Sequence, residues 1–384
     1  MSMAMTGQAD IMIGGFCDPR FAKVGEAFAA NFRERGELGG AVCVYEDGAR
    51  RVDLWGGWAN AGRTRPWRED MIVCMMSVGK GMAALCLWML VDRGLVDMDA
   101  PVARYWPEFA QAGKGAITVR TLVTGKAGLL YADHAPDGAG FDWDVMIRAL
   151  EVQEPVWEPG TDHGYHSATA GYLLGELVRR VDGRPLDRFL REEVCLPLGA
   201  DYGYGAAWTD PGRVADIVPN EASHTFVQSR DVTTKLGRAW RMRPQSPDHY
   251  NDARMRSGLM PSTNGHGNAR GVARIFAALA CGGALDGVRL LSAATIDRMR
   301  EESWFGQCAM TDRVFRYGQG FFLNEANMSP MGSNPGAFGH PGAGGALGFA
   351  DPENRIAFSY SPALMCEGGG LGDRCAALSA AVYA

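Results

Sequence analysis

A serine and a lysine that could act together stand three residues apart in the tetrapeptide Ser77-Val78-Gly79-Lys80. The apolar run that follows predicts a helix from about residue 79 to residue 92, with Ser77 at its N-terminus. Free N–H groups at a helix N-terminus favour developing negative charge, and Lys80 lies one turn further on the same face. A desolvated lysine has a lowered pKa and can take the serine proton, so the pair predicts a nucleophile and its proton acceptor.

Ser77 has a second interpretation as an ordinary helix cap, because Ser is a preferred N-cap residue and Ser-x-x-Lys arises by chance in a long chain. The surroundings favour catalysis. Cys74-Met75-Met76 precedes the serine, and an apolar helix follows it. We therefore expect Lys80 to be buried, which is the condition that lowers the pKa of a lysine.

Tyr165 is the next candidate, in the segment Pro159 to Ser167, which precedes a predicted helix. A tyrosine whose pKa is lowered can act as a general base or a proton relay. The alternative is a tyrosine that only packs.

A glycine-rich segment from Gly339 to Gly345 leads into a predicted strand. Glycines allow a substrate to approach the strand edge closely, and a backbone N–H in this segment can donate to an oxyanion. The alternative interpretation is a flexible turn.

Other chemistries find little support in the sequence. His163 and His166 lack the helical spacing of a zinc pair, and no acidic partner segment accompanies them, so we predict no metal site and no cofactor. No G-x-S-x-G, G-x-G-x-x-G or Walker motif occurs. The nine cysteines form no C-x-x-C pair, which favours free thiols in a reducing compartment.

Charge and composition exclude further classes. The chain of 384 residues carries a formal net charge of −6 and has no long basic run, so nucleic acid is not an expected partner. No apolar stretch reaches the length of a membrane helix, and the first residues lack the basic region of a secretory signal. We therefore predict a cytoplasmic protein that does not bind membranes.

Residue patterns predict how these segments are held together. Residues 19–35 predict an amphipathic helix, and Asp47-Gly48 between two β-rich runs predicts a hairpin. Helical patterns then dominate, residues 201–251 are predicted as long surface loops, and strands return after residue 315. The prediction is an α+β fold. Residues 1–65 and 255–384 are expected to form an antiparallel sheet flanked by helices, and residues 66–254 a mainly helical inserted domain. The active site is expected at the interface of the two domains.

Several segments in this order resemble the serine β-lactamase and penicillin-binding-protein superfamily, and most of all the class C β-lactamase-like esterases called family VIII carboxylesterases. The resemblance covers nearly the whole chain from Phe21 and implies a β-lactamase-like fold. The segments that carry it are residues 70–80, 95–102, 117–129, 158–165, 261–265 and 340–342.

The resemblance implies roles for matching residues. Ser77 is similar to the acyl-enzyme nucleophile, Lys80 to its proton acceptor or to the partner that keeps a tyrosine ionised, and Tyr165 to the general base and proton shuttle. The oxyanion hole would be formed by the backbone N–H groups of Ser77 and Ala343.

Two positions depart from the family pattern. Ser167 stands where the second motif, Tyr-x-Asn, usually has Asn, and His340 stands where the third motif often has Lys. In β-lactamases those residues help to hold the antibiotic, so the departures favour the esterase branch.

The sequence therefore predicts a serine hydrolase that cleaves carboxylic esters and needs no cofactor. Amide or D-peptide hydrolysis, weak β-lactam turnover and acyl transfer use the same acyl-enzyme and stay open, as does a non-catalytic scaffold. The oligomeric state is not indicated. The predicted substrate-binding residues are His340, Gly342, Tyr131, Trp157 and Phe338.

Overall fold

An antiparallel sheet of nine strands forms the centre of the fold, in the order β1-β3-β2-β14-β13-β12-β11-β10-β9. The computed structural model describes residues 11–244, 250–367 and 370–384. The strands of the described residues are β1 Ile13–Cys17, β2 Gly39–Glu46, β3 Ala49–Gly57, β4 Val73–Cys74, β5 Tyr202–Tyr204, β6 Gly265–Gly267, β7 Ala284–Leu285, β8 Val288–Arg289, β9 Trp304–Gln307, β10 Val314–Tyr317, β11 Phe322–Leu323, β12 Phe338–Pro341, β13 Leu347–Asp351 and β14 Ile356–Pro362.

Helices cover the sheet and form the rest of the fold. Every residue of β2, β13 and β14 is buried, so both faces of the sheet centre are covered. The α-helices of the described residues are α1 Ala22–Glu34, α2 Val78–Asp92, α3 Val119–Val123, α4 Trp143–Val152, α5 Ala170–Asp182, α6 Leu186–Leu190, α7 Leu196–Leu198, α8 His224–Arg230, α9 Lys235–Trp240, α10 Ala253–Ser257, α11 Ala269–Ala280, α12 Ala293–Met299 and α13 Gly372–Ala381.

The predicted hairpin is confirmed between β2 and β3. Asp47 and Gly48 both adopt positive φ angles, 52° and 76°, as the two central residues of a type I′ hairpin turn must. The strands then pair from Glu46 with Ala49 to Gly39 with Gly57, with one register shift between Val44 and Tyr45. This hairpin joins the C-terminal strands through β14, which pairs with β2. The α+β fold with an antiparallel sheet is confirmed.

Helix α2 carries the predicted nucleophile into the interior. All residues from Val78 to Val91 are buried, as expected for a helix that is apolar on every side. It packs against α5 and α6, and it also touches β12 of the large sheet. Helix α2 therefore contacts both the helices and the large sheet.

A small three-stranded sheet, β4-β6-β5, lies next to this helix N-terminus. Strand β4 ends three residues before Ser77, and the Met75 N–H donates to the Gly265 carbonyl oxygen at 2.7 Å. This hydrogen bond holds the backbone segment that leads into Ser77.

One expectation about the fold is wrong. Residues 201–251 are not all surface loop, because they include β5, α8 and α9, and Tyr202, Leu236 and Trp240 are buried. Apolar residues are spread too thinly in this segment to show periodicity, yet they pack against the helical region. Residues 245–249 of this segment lie outside the described residues, as do residues 1–10, on which the expectation of no secretory signal depends. The division of the chain into two domains stays a prediction.

Candidate active site

Ser77 immediately precedes the first turn of α2, and its hydroxyl makes no capping hydrogen bond to the helix. A serine that served only as a cap would use that hydroxyl on a backbone N–H of the first turn. Instead, Lys80 Nζ lies 2.8 Å from Ser77 Oγ. The arrangement does not support the interpretation of Ser77 as an ordinary cap.

The backbone just before the serine is strained. Met76 has a φ angle of 49°, a left-handed conformation that costs a side-chain-bearing residue free energy. Its neighbours hold it there, since Met76 forms a bridge with Asn264 and Met75 is bonded to Gly265. Such strain is concentrated at functional sites, and nothing in the local sequence predicts it.

Lys80 is buried, with 2% of its surface exposed. Its ammonium nitrogen lies 2.8 Å from Ser77 Oγ and 2.6 Å from the Ser262 carbonyl oxygen. Burial lowers the pKa of Lys80 well below its usual value, because the charged form loses its hydration. An amine that is neutral over more of the pH range can accept the proton of the serine hydroxyl.

The ring of Tyr165 lies 4.9 Å from Lys80 Nζ. The rings of Phe315 and Phe322 contact it at 5.8 and 5.6 Å, and the Cys308 thiol accepts a hydrogen bond from its backbone N–H. Burial raises the pKa of the Tyr165 phenol well above its usual value, while a hydrogen bond with Ser77 acts in the opposite direction. The expectation of a tyrosine with a lowered pKa is therefore wrong, because desolvation outweighs that hydrogen bond.

Two backbone N–H groups stand at the predicted oxyanion hole. Among the described residues, neither the N–H of Ser77 nor that of Ala343 has a hydrogen-bond acceptor. Ala343 follows the end of β12, in a turn closed by a hydrogen bond from the Gly345 N–H to the Gly342 carbonyl oxygen. Both residues line the cleft, so both N–H groups are available to a substrate carbonyl oxygen.

His340 is fully buried and does not line the cleft. Its Nδ1 lies 2.8 Å from the Pro341 carbonyl oxygen, which requires the proton on Nδ1, and within the described residues Nε2 has no partner. Burial lowers the pKa of His340 to about 3, and the nearby Lys80 acts in the same direction. His340 is therefore a neutral neighbour of Lys80 and Tyr165. The ring centres of His340 and Tyr165 are 6.0 Å apart.

The cleft beside Ser77 encloses about 1130 Å³, part of it open to solvent. Ser167 lines it, and its hydroxyl accepts a hydrogen bond from the Trp240 indole N–H at 2.8 Å. Trp240 also lies 5.9 Å from Lys80 Nζ. The structure thus adds Trp240 to the site, although its segment had been predicted as a surface loop.

Three of the predicted substrate-binding residues, Phe338, Tyr131 and Trp157, do not line this cleft. Phe338 lies in the buried core against Phe321, because its position on β12 directs it into the packed interior. Tyr131 is buried under the Arg238 guanidinium, 4.0 Å away, and the Trp157 indole donates to the Lys126 carbonyl oxygen. Of the predicted substrate-binding residues, only Gly342 lines the cleft.

Several residues at the site lie far from Ser77 in the sequence. The Ser262 carbonyl oxygen reaches Lys80 from a loop 182 residues further along the chain, within the segment 261–265 that carried part of the resemblance. Arg313 and Thr311 also line the cleft and belong to no motif. Only the tertiary structure brings such residues to the nucleophile.

His163 and His166 make separate contacts in the structure. In the part of the chain that the structure describes, no three residues among His, Cys, Asp and Glu are grouped so that they could hold a metal ion. His166 donates to the Gly164 carbonyl oxygen and accepts from the Leu129 N–H, and His163 stacks on Trp304 with ring centres 5.4 Å apart. No helix among residues 11–244, 250–367 and 370–384 has the length and apolar character needed to cross a membrane.

Comparisons with known proteins agree with this geometry. The family model described as beta-lactamase matches residues 27–365. The protein named esterase/beta-lactamase LipL from Mycobacterium tuberculosis (strain ATCC 25618 / H37Rv) is 36% identical over 358 residues, which cover 90% of this chain and 81% of LipL.

Two solved structures are similar over almost their whole length. A family VIII carboxylesterase has a TM-score of 0.88 and 39% identity, covering 97% of this chain and 99% of that one. A penicillin-binding-protein homologue from Caulobacter crescentus also has a TM-score of 0.88, with 37% identity and the same coverage.

Proposed function

The chain belongs to the β-lactamase family, and we propose that it cleaves carboxylic esters through an acyl-enzyme formed on Ser77. It is a serine hydrolase of the carboxylesterase type. The observation that carries the proposed role of Ser77 is the 2.8 Å distance from its Oγ to the nitrogen of buried Lys80. The likeness to an esterase/beta-lactamase and to a carboxylesterase supports an ester as the substrate.

In the acylation step, Ser77 Oγ forms a bond to the ester carbonyl carbon and its proton passes to the Lys80 amine. The carbonyl oxygen takes the electron pair of the double bond, and the N–H groups of Ser77 and Ala343 stabilise it. The bond to the alcohol oxygen then breaks. The Tyr165 phenol, which burial keeps protonated, gives its proton to that oxygen and is reprotonated by the Lys80 ammonium.

In the deacylation step, water replaces the alcohol. Its oxygen attacks the acyl carbon, Lys80 takes the water proton, and the bond to Ser77 Oγ breaks. Ser77 Oγ recovers a proton from Lys80, and the carboxylic acid leaves. Both half-reactions use groups that this chain supplies.

Slow β-lactam cleavage is a second candidate, because LipL bears both activities in its name. The acyl-enzyme chemistry would be the same. However, His340, at the position where the family often has a lysine, is neutral and buried, so this one position presents no cation to a substrate. We rank esters first, ahead of β-lactams, amides and D-peptides, because the similar proteins include one named as an esterase and one named as a carboxylesterase.

The experiment combines a covalent probe with matched substrates. A fluorophosphonate should add its mass to Ser77 of the folded protein and should not label Ser77→Ala. Rates on an ester, its matched amide, a D-peptide and a cephalosporin then rank the substrates. Absence of labelling would revive the scaffold interpretation, and a wide margin for the amide or the β-lactam would overturn the ester proposal.

The nine cysteines support a cytoplasmic site of action. All of them are free thiols in the structure, and seven of the nine are buried. A protein of oxidising compartments usually pairs its cysteines. Fractionation of cells that produce the full chain tests this location.

A further inference from the structure

The cleft beside Ser77 is positively charged although the whole chain is acidic. Two arginines, Arg243 and Arg313, line it, and none of the described lining residues is Asp or Glu. The formal net charge of the chain is −6. The carboxylates therefore lie elsewhere, and the cleft concentrates a field that attracts anions.

Arg313 lacks an anionic partner among the described residues. Its side chain donates only to the Met328 sulfur, at 3.7 Å, whereas a guanidinium offers five N–H donors. Its neighbours are paired: Arg316 with Glu302 at 2.7 Å, and Asp312 with Lys235 at 3.2 Å. Arg243, by contrast, is already bonded to Ser229. Arg313 is thus the lining cation that can still receive a carboxylate.

Thr311 offers a second unused donor in the same cleft. Its Oγ1 is buried and has no hydrogen-bond partner within the described residues, although Thr311 lines the cleft. Buried hydroxyls are nearly always bonded, because an unmet one costs free energy. A ligand oxygen held by Arg313 and Thr311 would satisfy both groups.

The hairpin of β9 and β10 fixes this pair relative to the catalytic residues. The Cys308 thiol accepts from the Tyr165 N–H at 3.2 Å, and the Ala309 N–H donates to the His163 carbonyl oxygen at 2.9 Å. Arg313 directly precedes β10 and stands two residues before Phe315, whose ring contacts Tyr165. Arg313 and Phe315 both line the cleft, so Arg313 is near in the chain to a ring that touches the catalytic centre.

We infer that Arg313 and Thr311 form an anion subsite that selects esters carrying a carboxylate, such as half-esters of dicarboxylic acids. The inference rests on the proposed ester hydrolysis and names its substrate class. The planar fork of Arg313 matches the two oxygens of a carboxylate, and the Thr311 hydroxyl adds a third hydrogen bond. A neutral ester of the same shape would leave these donors unmet.

Two pairs of matched esters test the subsite from both sides of the ester bond. The acyl side uses mono-4-nitrophenyl glutarate against its terminal carboxamide, and the alcohol side uses 4-acetoxybenzoate against 4-acetoxybenzamide. We expect kcat/KM for the acid of one pair to exceed that of its amide by about tenfold or more, the effect of one hydrogen bond to a charged group. Raising the salt concentration should shrink this preference.

Variants then assign the preference to Arg313. Arg313→Gln should abolish the acid-to-amide ratio, Arg313→Lys should retain part of it, and Arg148→Gln, which removes an exposed arginine outside the cleft, should leave it intact. Equal or lower kcat/KM for both acids, or an unchanged ratio in Arg313→Gln, would overturn the inference. If Arg313→Gln does not fold, the ratio in Arg313→Lys and the salt dependence of the wild type decide.

The outcomes also separate this inference from the proposed function. If the protein turns over both members of each pair equally, the subsite is wrong and the esterase stands. If it turns over no ester and Ser77 is not labelled by fluorophosphonate, the proposed function itself fails.

Discussion

Lys80 Nζ lies 2.8 Å from Ser77 Oγ, and the two residues stand one helical turn apart at the buried N-terminus of α2. The second acceptor of the lysine is the Ser262 carbonyl oxygen at 2.6 Å. A neutral backbone acceptor orients the amine without adding a negative charge that would raise its pKa. The lysine is therefore held against the serine in a setting that favours its free-base form.

Removal of this amine should abolish catalysis. Lys80→Ala is expected to lower kcat by about three orders of magnitude or more, because catalytic groups act as a unit. Steady-state kinetics on a 4-nitrophenyl ester measure the loss, and circular dichroism checks the fold.

The matched control for this variant is Lys114→Ala. Lys114 is equally buried, but it donates to the Glu151 and Gln153 carbonyl oxygens and does not line the cleft. Its removal should lower the melting temperature and spare kcat. Near-normal turnover in Lys80→Ala would exclude lysine as the base.

The pH dependence should report on Lys80 and not on His340. A protonated Lys80 cannot accept the serine proton, so kcat/KM should fall as the pH drops through the lowered pKa of Lys80. His340 has a pKa of about 3 and is neutral over the measured range. The acid limb should therefore keep its position in His340→Gln, measured between about pH 5 and 9. Loss of that limb in the variant would assign it to the histidine.

Buried His163 should weaken the fold in acid. Burial lowers the pKa of His163 to about 3, while the unfolded chain takes up the proton below about pH 6.5. The unfolded state therefore binds more protons in this window, and the free energy of unfolding falls as the pH falls. From about pH 6.5 to 5 the contribution of this one residue is about 2 kcal/mol.

His163→Phe should remove that contribution. Both ring nitrogens of His163 lack partners within the described residues, and its surroundings are aromatic, so Phe fits the site chemically. Urea unfolding at about pH 7 and pH 5 should show that the variant loses less stability than the wild type. His134→Gln, at an exposed histidine, should behave as the wild type does. Equal acid sensitivity in His163→Phe and the wild type would contradict the prediction.

Gly342 should tolerate no side chain. A Cβ there would lie 2.2 Å from the Met75 carbonyl oxygen, which belongs to the backbone just before the nucleophile. Gly342→Ala must therefore push the end of β12 and the Ser77 segment apart, and we expect kcat to fall by about a hundredfold through misplacement.

Gly115→Ala is the control for this substitution, because its nearest contact would be an ordinary 3.8 Å from Ala110. We compare the two variants by measuring kcat in stopped assays and the melting temperature by thermal unfolding. Full activity in Gly342→Ala would show that the close approach does not position the serine.

Local spacing was enough to predict part of this protein. Asp47-Gly48 sets the hairpin, and Ser77 and Lys80 meet because residues three apart on a helix are neighbours. The sequence motifs, in their order along the chain, also identified the α+β fold and the hydrolase class. These features depend on contacts between residues close in sequence or on segments that act as signatures.

The tertiary structure decided everything that depends on burial and on distant partners. Tyr165 keeps its proton and His340 is neutral because packing removes water from both, whereas their types alone left the charge states open. Phe338 points into the core, and Arg313 reaches the cleft without a carboxylate beside it. The loss of hydration of a side chain and the presence of an ion-pair partner both depend on residues that are far apart in the chain. No local pattern around Ser77 could therefore reveal them.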